Sequence, residues 1–336
     1  MLVAIGAALV LSSAVAVAAV KVGTAASETI TGTHSPDIIN GKGGNDTLKG
    51  LAGNDVYQFA DGFGEDTLEE LASYKVGKRR LPGGTDTLNF SRVTTDMTIY
   101  LVPQWPASGN AFGNQASTTG TDGILHKVSL GSSLVENATG GSGSFDWISS
   151  GGGSNTLRPG GGAFNILRDF AGWKDGAEGQ PGIPTASNDT YRGFQAAPNG
   201  AVSEVGDWGG TADTLVLPGE SSDYYIDSVN LDASPDGSEE SLLIYNTTNN
   251  TTVRVLGHFG DYANWSNLNG LNGKIEQLVF ADGAFATTAQ VQQLMNASAS
   301  LNDSAEEAVE EQVVEAQTER EQVKATGASR PPASAS

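Results

Sequence analysis

Four consecutive nine-residue units fill residues 23–58, and they limit the fold more tightly than any other feature of the chain. They read GTAASETIT, GTHSPDIIN, GKGGNDTLK and GLAGNDVYQ. The first position is glycine in each (Gly23, Gly32, Gly41, Gly50), the sixth is acidic (Glu28, Asp37, Asp46, Asp55), and the eighth is apolar (Ile30, Ile39, Leu48, Tyr57). Six residues rich in Gly, Asn and Asp form neither a helix nor a regular strand, but they tolerate the left-handed conformations of a tight turn. The three that follow, such as Thr47-Leu48-Lys49, make a very short strand with one inward apolar residue. If two units complete one coil, like positions meet every 18 residues. Ile30 then stacks on Leu48 along one sheet and Ile39 on Tyr57 along a second. The acids follow the same rule, Glu28 over Asp46 and Asp37 over Asp55.

Stacked carboxylates call for a cation. Two like charges about 5 Å apart repel by roughly 3 kcal/mol at an effective dielectric of about 20. Calcium takes six to eight oxygen ligands in flexible geometry, and Gly-rich turns expose backbone carbonyls for it. The other arrangement these residues allow is a ladder of Gly/Asn turns with solvated acids. The units resemble the RTX (hemolysin-type) calcium-binding nonapeptide repeat, G-G-x-G-x-D-x-U-x. That resemblance implies Ca2+ as the cofactor and an all-β parallel β-roll (a right-handed β-helix) as the fold. It also implies a ligand set: the acids Glu28, Asp37, Asp46 and Asp55, with turn oxygens at Thr33, Ser35, Gly41, Gly43, Gly50 and Ala52. In the family such a pair as Asp37 and Asp55 shares one ion. Asp66 lies 20 residues beyond Asp46 rather than 18, so it joins the set only with a two-residue bulge.

The rest of the chain is read against that block. Residues 2–20 are apolar and uncharged, with Ala16-Val17-Ala18 as an A-x-A site, so residues 1–19 are expected to be a secretory signal peptide. The missing positive n-region leaves a retained anchor as the alternative. Residues 20–90 are expected to be the calcium-binding roll, 91–215 a degenerate continuation, 216–295 a β-rich C-terminal cap, and 296–336 an acidic helical or disordered tail. Within the continuation, Gly140–Gly143, Gly151–Gly153 and Gly160–Gly162 lead to Asp146, Asn155 and Asn165. Asn removes the charge, so weak metal binding or none is expected there. Asn188-Asp189-Thr190-Tyr191 and Asp213-Thr214-Leu215 echo Asn54-Asp55-Val56-Tyr57 and Asp86-Thr87-Leu88. Lys75, Lys78, Arg79 and Arg80 form a basic cluster expected to be a solvated loop. Leu242–Tyr245 and Val253–Leu256 flank Asn249-Asn250 as a hairpin, and Thr288 caps a short helix through Leu294.

With 18 basic and 39 acidic residues the net charge is −21, which argues against nucleic acid and anionic membrane surfaces as partners. There is no cysteine, hence neither disulfide nor thiolate site. The three histidines are not in H-E-x-x-H, and neither G-x-S-x-G nor a P-loop occurs. The expectation is a secreted, non-enzymatic calcium-binding protein, without a stable membrane span, whose cell-surface or polysaccharide partner the residues do not name. The alternatives are a polysaccharide-processing enzyme on the same scaffold and a surface adhesin.

Overall fold

The computed structural model describes residues 19–101, 114–131, 133–150, 153–169, 188–195, 200–207, 212–229, 241–256, 258, 275–287, 290, 291 and 293. Residues 1–18 of the expected signal segment, Thr288 and the tail from 296 lie outside them, and Ala19, the last residue expected in that segment, opens a strand. The chain divides into one unit over Met1–Phe285 and another over Ala286–Ser336. In the second, Gln290, Val291 and Gln293 are helical, and Gln290 Oε1 accepts the Thr287 N–H at 2.8 Å.

The first unit is all-β and mostly parallel, as a β-roll requires. Successive short strands alternate between two sheets. One sheet runs Ala19–Val22, Asp37–Asn40, Val56–Ala60, Thr87–Arg92, Asn137–Thr139, Thr156–Arg158, Thr190–Arg192, Thr214–Val216 and Gln277–Val279, each parallel to the next. The other opens with Thr29–Thr31, Thr47–Lys49 and Glu65–Leu68, also parallel. It continues through Leu125–Ser129, Gln115–Thr119 and Met97–Tyr100, paired antiparallel, and returns to parallel order at Phe145–Ser150, Phe164–Asp169, Val202–Gly206 and Thr252–Val255. Tyr224–Val229 and Ser241–Asn246 complete it antiparallel. Ser241–Asn246 and Thr252–Val255 are the expected hairpin, turned at Asn250 with φ +58.

The 18-residue register is as the repeat predicts: Ile30 pairs with Leu48 in one sheet and Ile39 with Tyr57 in the other. These four line the space between the sheets, with Ile39, Leu48 and Tyr57 fully buried. Further along, Phe59, Phe63 and Phe90 fill the same space, the Phe59 and Phe90 rings stacked at 4.7 Å. Departures from 18 fall in the turns. Thr47 pairs with Thr67, so the two extra residues before Asp66 are taken up near Gly62 and Gly64, both at positive φ. Val56 pairs with Thr87 because a hairpin, Ser73–Val76 with Arg79–Pro82, is inserted between coils. The basic cluster rides on that hairpin rather than on an irregular loop. Its Gly77 sits at φ +60, which lets the two strands reverse within two residues.

Leu48 is flanked by Ile30 on one side and Leu68 on the other, with no exposed area. Leu48→Ala is expected to cost about 2–5 kcal/mol of unfolding free energy. Leu125→Ala, at a side chain 53% exposed, stays within about 0.5 kcal/mol of the parent. Denaturant melts in excess calcium compare the two; equal losses would contradict the packing.

Candidate metal ladder

Each position-six acid lies just before a strand or, at Asp37, opens one, and stands in a column that runs from coil to coil. Asp37 Oδ1 accepts the Ala19 N–H at 3.0 Å, Asp55 Oδ1 the Asp37 N–H at 2.7 Å, and Asp86 Oδ1 the Asp55 N–H at 2.9 Å. Glu136 Oε2 then takes the Asp86 N–H at 2.8 Å. The same column resumes at Asn155, whose N–H goes to Asp189 Oδ1 at 2.6 Å, and continues through Asp189 to Asp213 at 2.7 Å and Asp213 to Glu276 at 2.7 Å. In the second sheet Asp46 Oδ1 accepts from Glu28 N and Asp66 Oδ1 from Asp46 N, both at 2.9 Å. That column ends where Val128 pairs with Asp66.

The second carboxylate oxygen points at position one. A Cβ added to Gly32 would lie 2.5 Å from Asp37 Oδ2, one on Gly41 2.3 Å from Asp46 Oδ2, and one on Gly50 2.2 Å from Asp55 Oδ2. Glycine is required there for space, since no carbon tolerates an oxygen that close. Turn carbonyls converge on the same points: Gly50 O would meet the Gly32 Cβ at 2.6 Å, and Gly41 O the Gly23 Cβ at 2.6 Å beside Glu28 Oε1 at 2.9 Å. Asp46, Asp55 and Asp66 are at most 2% exposed, and the Oδ2 of each has no hydrogen-bond partner. A buried carboxylate oxygen without a donor is costly unless a cation meets it. Carboxylate and carbonyl oxygens without a nitrogen or sulfur donor suit a hard cation such as calcium.

The ladder brings together Glu28, Asp46 and Asp66 in one column and Asp37 and Asp55 in the other. The turn residues divide. Gly41 and Gly50 present their carbonyls as described. Thr33 donates its N–H to Asp37 Oδ2 at 2.5 Å and its hydroxyl to Ser35 O at 3.3 Å. Gly43 donates its N–H to Thr24 O at 3.3 Å, and Ala52 is buried within its turn. In the second block the asparagine amides donate within their own turns, Asn155 Nδ2 to Gly153 O at 2.6 Å and Asn165 Nδ2 to Gly162 O at 3.4 Å, while Asn165 Oδ1 is buried without a partner. The amide hydrogen takes up the carbonyl that a cation would otherwise collect.

Asp86, Glu136, Asp189, Asp213 and Glu276 extend the ladder but were absent from the repeat-based set. Their shared signal is an acid one residue ahead of a strand, as in Asp86-Thr87-Leu88. Glu70 carries no such signal. It takes the place in its coil that Gly50 holds in the one before, and its Oε1 accepts the Gly50 N–H at 2.7 Å as well as the Tyr57 hydroxyl. Its Oε2 accepts the Tyr74 hydroxyl at 2.7 Å.

Burial, only partly offset by the backbone N–H each accepts, pushes Asp55 up to about 6, Asp66 to about 7 and Asp86 to about 8, and neighbouring carboxylates push the same way. Raised folded values mean that the metal-free fold holds protons that the unfolded chain releases above about pH 4. The stability that these protonated carboxyls contribute is therefore fully present below that value and is lost as pH rises towards 8. Calcium displaces those protons and reverses the trend. The melting temperature in chelator should fall from pH 5 to pH 8, and calcium affinity should rise over the same interval. A chelated chain most stable at pH 8 contradicts this.

No curated protein matches the chain. A family model does match part of it, described as the RTX calcium-binding nonapeptide repeat and found in four copies over residues 22–57. The turns that converge Asp37, Asp46 and Asp55 on glycines and carbonyls are thus four copies of the RTX calcium-binding repeat.

Proposed function

We propose that the chain is an exported, non-enzymatic protein whose RTX repeats bind calcium, and that the ions hold the first coils of the roll in register. The observation that carries this is the set of buried, partnerless Oδ2 atoms on Asp46, Asp55 and Asp66 inside a stack of like charges. Without a cation these coils bury few apolar side chains, Ile30, Ile39, Leu48, Ala52 and Tyr57, against the entropy of ordering Gly-rich backbone. Calcium then acts as a folding ligand. A site with a Kd near 0.1 mM is stabilised by about 1.8 kcal/mol in about 2 mM calcium. Such a chain would fold where free calcium is millimolar, which agrees with the apolar N-terminal segment and the absence of cysteine.

The enzyme alternative would place chemistry in a groove. One is present, about 760 Å3, lined by Thr94, Thr95, Thr98, Ser117, Thr118 and Ser144 among others, with Asp96 as the carboxylate among its described lining residues. Glycoside hydrolysis uses two carboxylates. The hydroxyl lining suits contact with a polar ligand.

Circular dichroism and melting in calcium and in chelator test the proposal. Calcium is expected to raise both β-sheet content and melting temperature. Asp55→Asn should weaken binding by about 10-fold or more, since it removes a ligand charge at nearly constant size. Asn155→Ala, at a turn already closed by its own amide, should leave affinity unchanged. Equal behaviour in calcium and chelator would remove the calcium-folding link. Equal effects of the two substitutions would place calcium in the second block as well.

Export is tested separately. The mature chain should be found outside the cytoplasm and begin near residue 19 or 20, as read by intact mass. A retained Met1 in a membrane fraction would support the anchor.

A further inference from the structure

The hydroxyl-lined groove differs in chemistry from the ladder and shares none of its residues. At about 760 Å3 it is within the size range of small-molecule sites. Its walls come from the strands Met97–Tyr100 and Gln115–Thr119 and from the turns ahead of Phe145–Ser150 and Phe164–Asp169. Each of these strands is paired on both sides, so no strand edge is offered to a peptide backbone and recognition falls to side chains. Some of the hydroxyls hold the wall together. Thr94 donates to Asp61 Oδ2 at 2.8 Å, Thr95 and Thr118 share a hydrogen bond at 2.7 Å, and Ser142 donates to Val93 O at 3.2 Å. Others are left over: no described residue bonds the hydroxyls of Thr98, Ser117 and Ser144. Asp96 is held through one oxygen. Its Oδ1 accepts the Ser144 N–H at 2.6 Å and the Phe145 N–H at 3.0 Å, and its Oδ2 takes no hydrogen bond from a described residue.

We propose that this groove binds a neutral saccharide. Sugar hydroxyls both donate and accept, as do those of Thr98, Ser117 and Ser144, and a carboxylate is a strong acceptor for them. A sugar also has apolar C–H faces, which pack on aromatic rings. Such rings border the groove. Phe145 and Phe164 directly follow the lining residues Ser144 and Ala163 and stack at 5.9 Å with 19° between their planes. Both are half-buried on the outer face of the sheet, since the residues after them point inward. Trp147, half-buried on the same face, pairs in register with Thr98 and carries the ring strip up to the hydroxyls. Charge decides against other ligands. Asp96 is the charged side chain among the described lining residues, and the chain as a whole carries −21, so phosphates, sulfates and uronates are repelled. A single carboxylate also falls short of the charge by which calcium sites gain affinity and of the pair that glycoside hydrolysis uses. The groove therefore holds a sugar without cleaving it. Gly161 keeps it open. A Cβ added there meets nothing closer than 3.8 Å, so packing does not require glycine, and the missing side chain leaves that volume to a ligand.

Affinity electrophoresis of the full-length chain in excess calcium tests this. Native gels are cast with dextran, galactomannan or xyloglucan as neutral probes and with polygalacturonate as an anionic one. At least one neutral polysaccharide should slow the parent, and polygalacturonate should not. Gly161→Trp fills the groove at a position with room for a side chain and should abolish the retardation. Thr98→Val removes one unbonded hydroxyl at nearly constant shape and should weaken binding about 3–10-fold. Circular dichroism of both variants should match the parent, and Thr98→Val keeps the test decisive if the larger substitution disturbs the fold. Three results overturn the proposal. In the first, no neutral probe slows the parent. In the second, polygalacturonate slows it as much as any neutral probe. In the third, the parent and both variants are slowed alike, which would put the bound polysaccharide elsewhere on the protein.

Discussion

A carboxylate that accepts a backbone N–H of the preceding coil underlies most of what this roll does. The strands are three to six residues long, too short to fix their own register. The side-chain bond supplies it, tying the residue before one strand to the residue before its neighbour, as in Asp37 to Asp55 to Asp86. Because the bond belongs to a position and not to a spacing, coils can differ in length while strands stay aligned. A hairpin enters between Asp55 and Asp86, two residues enter ahead of Asp66, and the column continues through both. The same bond gives the ladder its charge. One oxygen satisfies the backbone, and the other is left in a buried place among like charges. The device that sets the register and the buried charge have one origin.

That origin accounts for how much could be read in advance. The sheet pairing of Ile30 with Leu48 and Ile39 with Tyr57 was legible because glycine, acid and apolar residue recur at fixed intervals. So was the acid stacking in the first four units. Legibility stops where the period stops. Asp86, Asp189 and Asp213 enter the ladder through hydrogen bonds that need only a strand to follow, and their intervals vary from coil to coil. The antiparallel run of Gln115–Thr119 between its two neighbours depends on packing between distant segments, as does Glu70 beneath Tyr57. Neither leaves a local pattern.

Position one shows how a single site can set the chemistry of a coil. Glycine there gives room for a carboxylate oxygen and a turn carbonyl to meet, as at Gly32 and Gly50. Glutamate at Glu70 accepts hydrogen bonds from the Gly50 N–H and from the Tyr57 and Tyr74 hydroxyls. Aspartate at Asp169 and Asp207 brings further charge to the interior. The tyrosines repeat with it: Tyr57 donates to Glu70 and Tyr191 to Asp207, each two residues after a ladder aspartate. The echo between the Asn-Asp-Val-Tyr and Asn-Asp-Thr-Tyr segments is therefore a repeated hydrogen-bond arrangement as well as a repeated string.

The asparagines of the middle coils complete the argument. Asn155 keeps the place of an aspartate in the column, but its amide donates to the carbonyl of Gly153 in its own turn. A turn closed in this way has its carbonyl occupied by a neutral donor. Coils before and after it carry aspartates with a buried oxygen that nothing in the chain satisfies, at Asp55 and at Asp213. Exchanging one nitrogen for one oxygen at position six thus decides whether a turn carbonyl is met by a neutral amide, as at Gly153, or lies beside a carboxylate oxygen that no donor in the turn satisfies, as at Asp55.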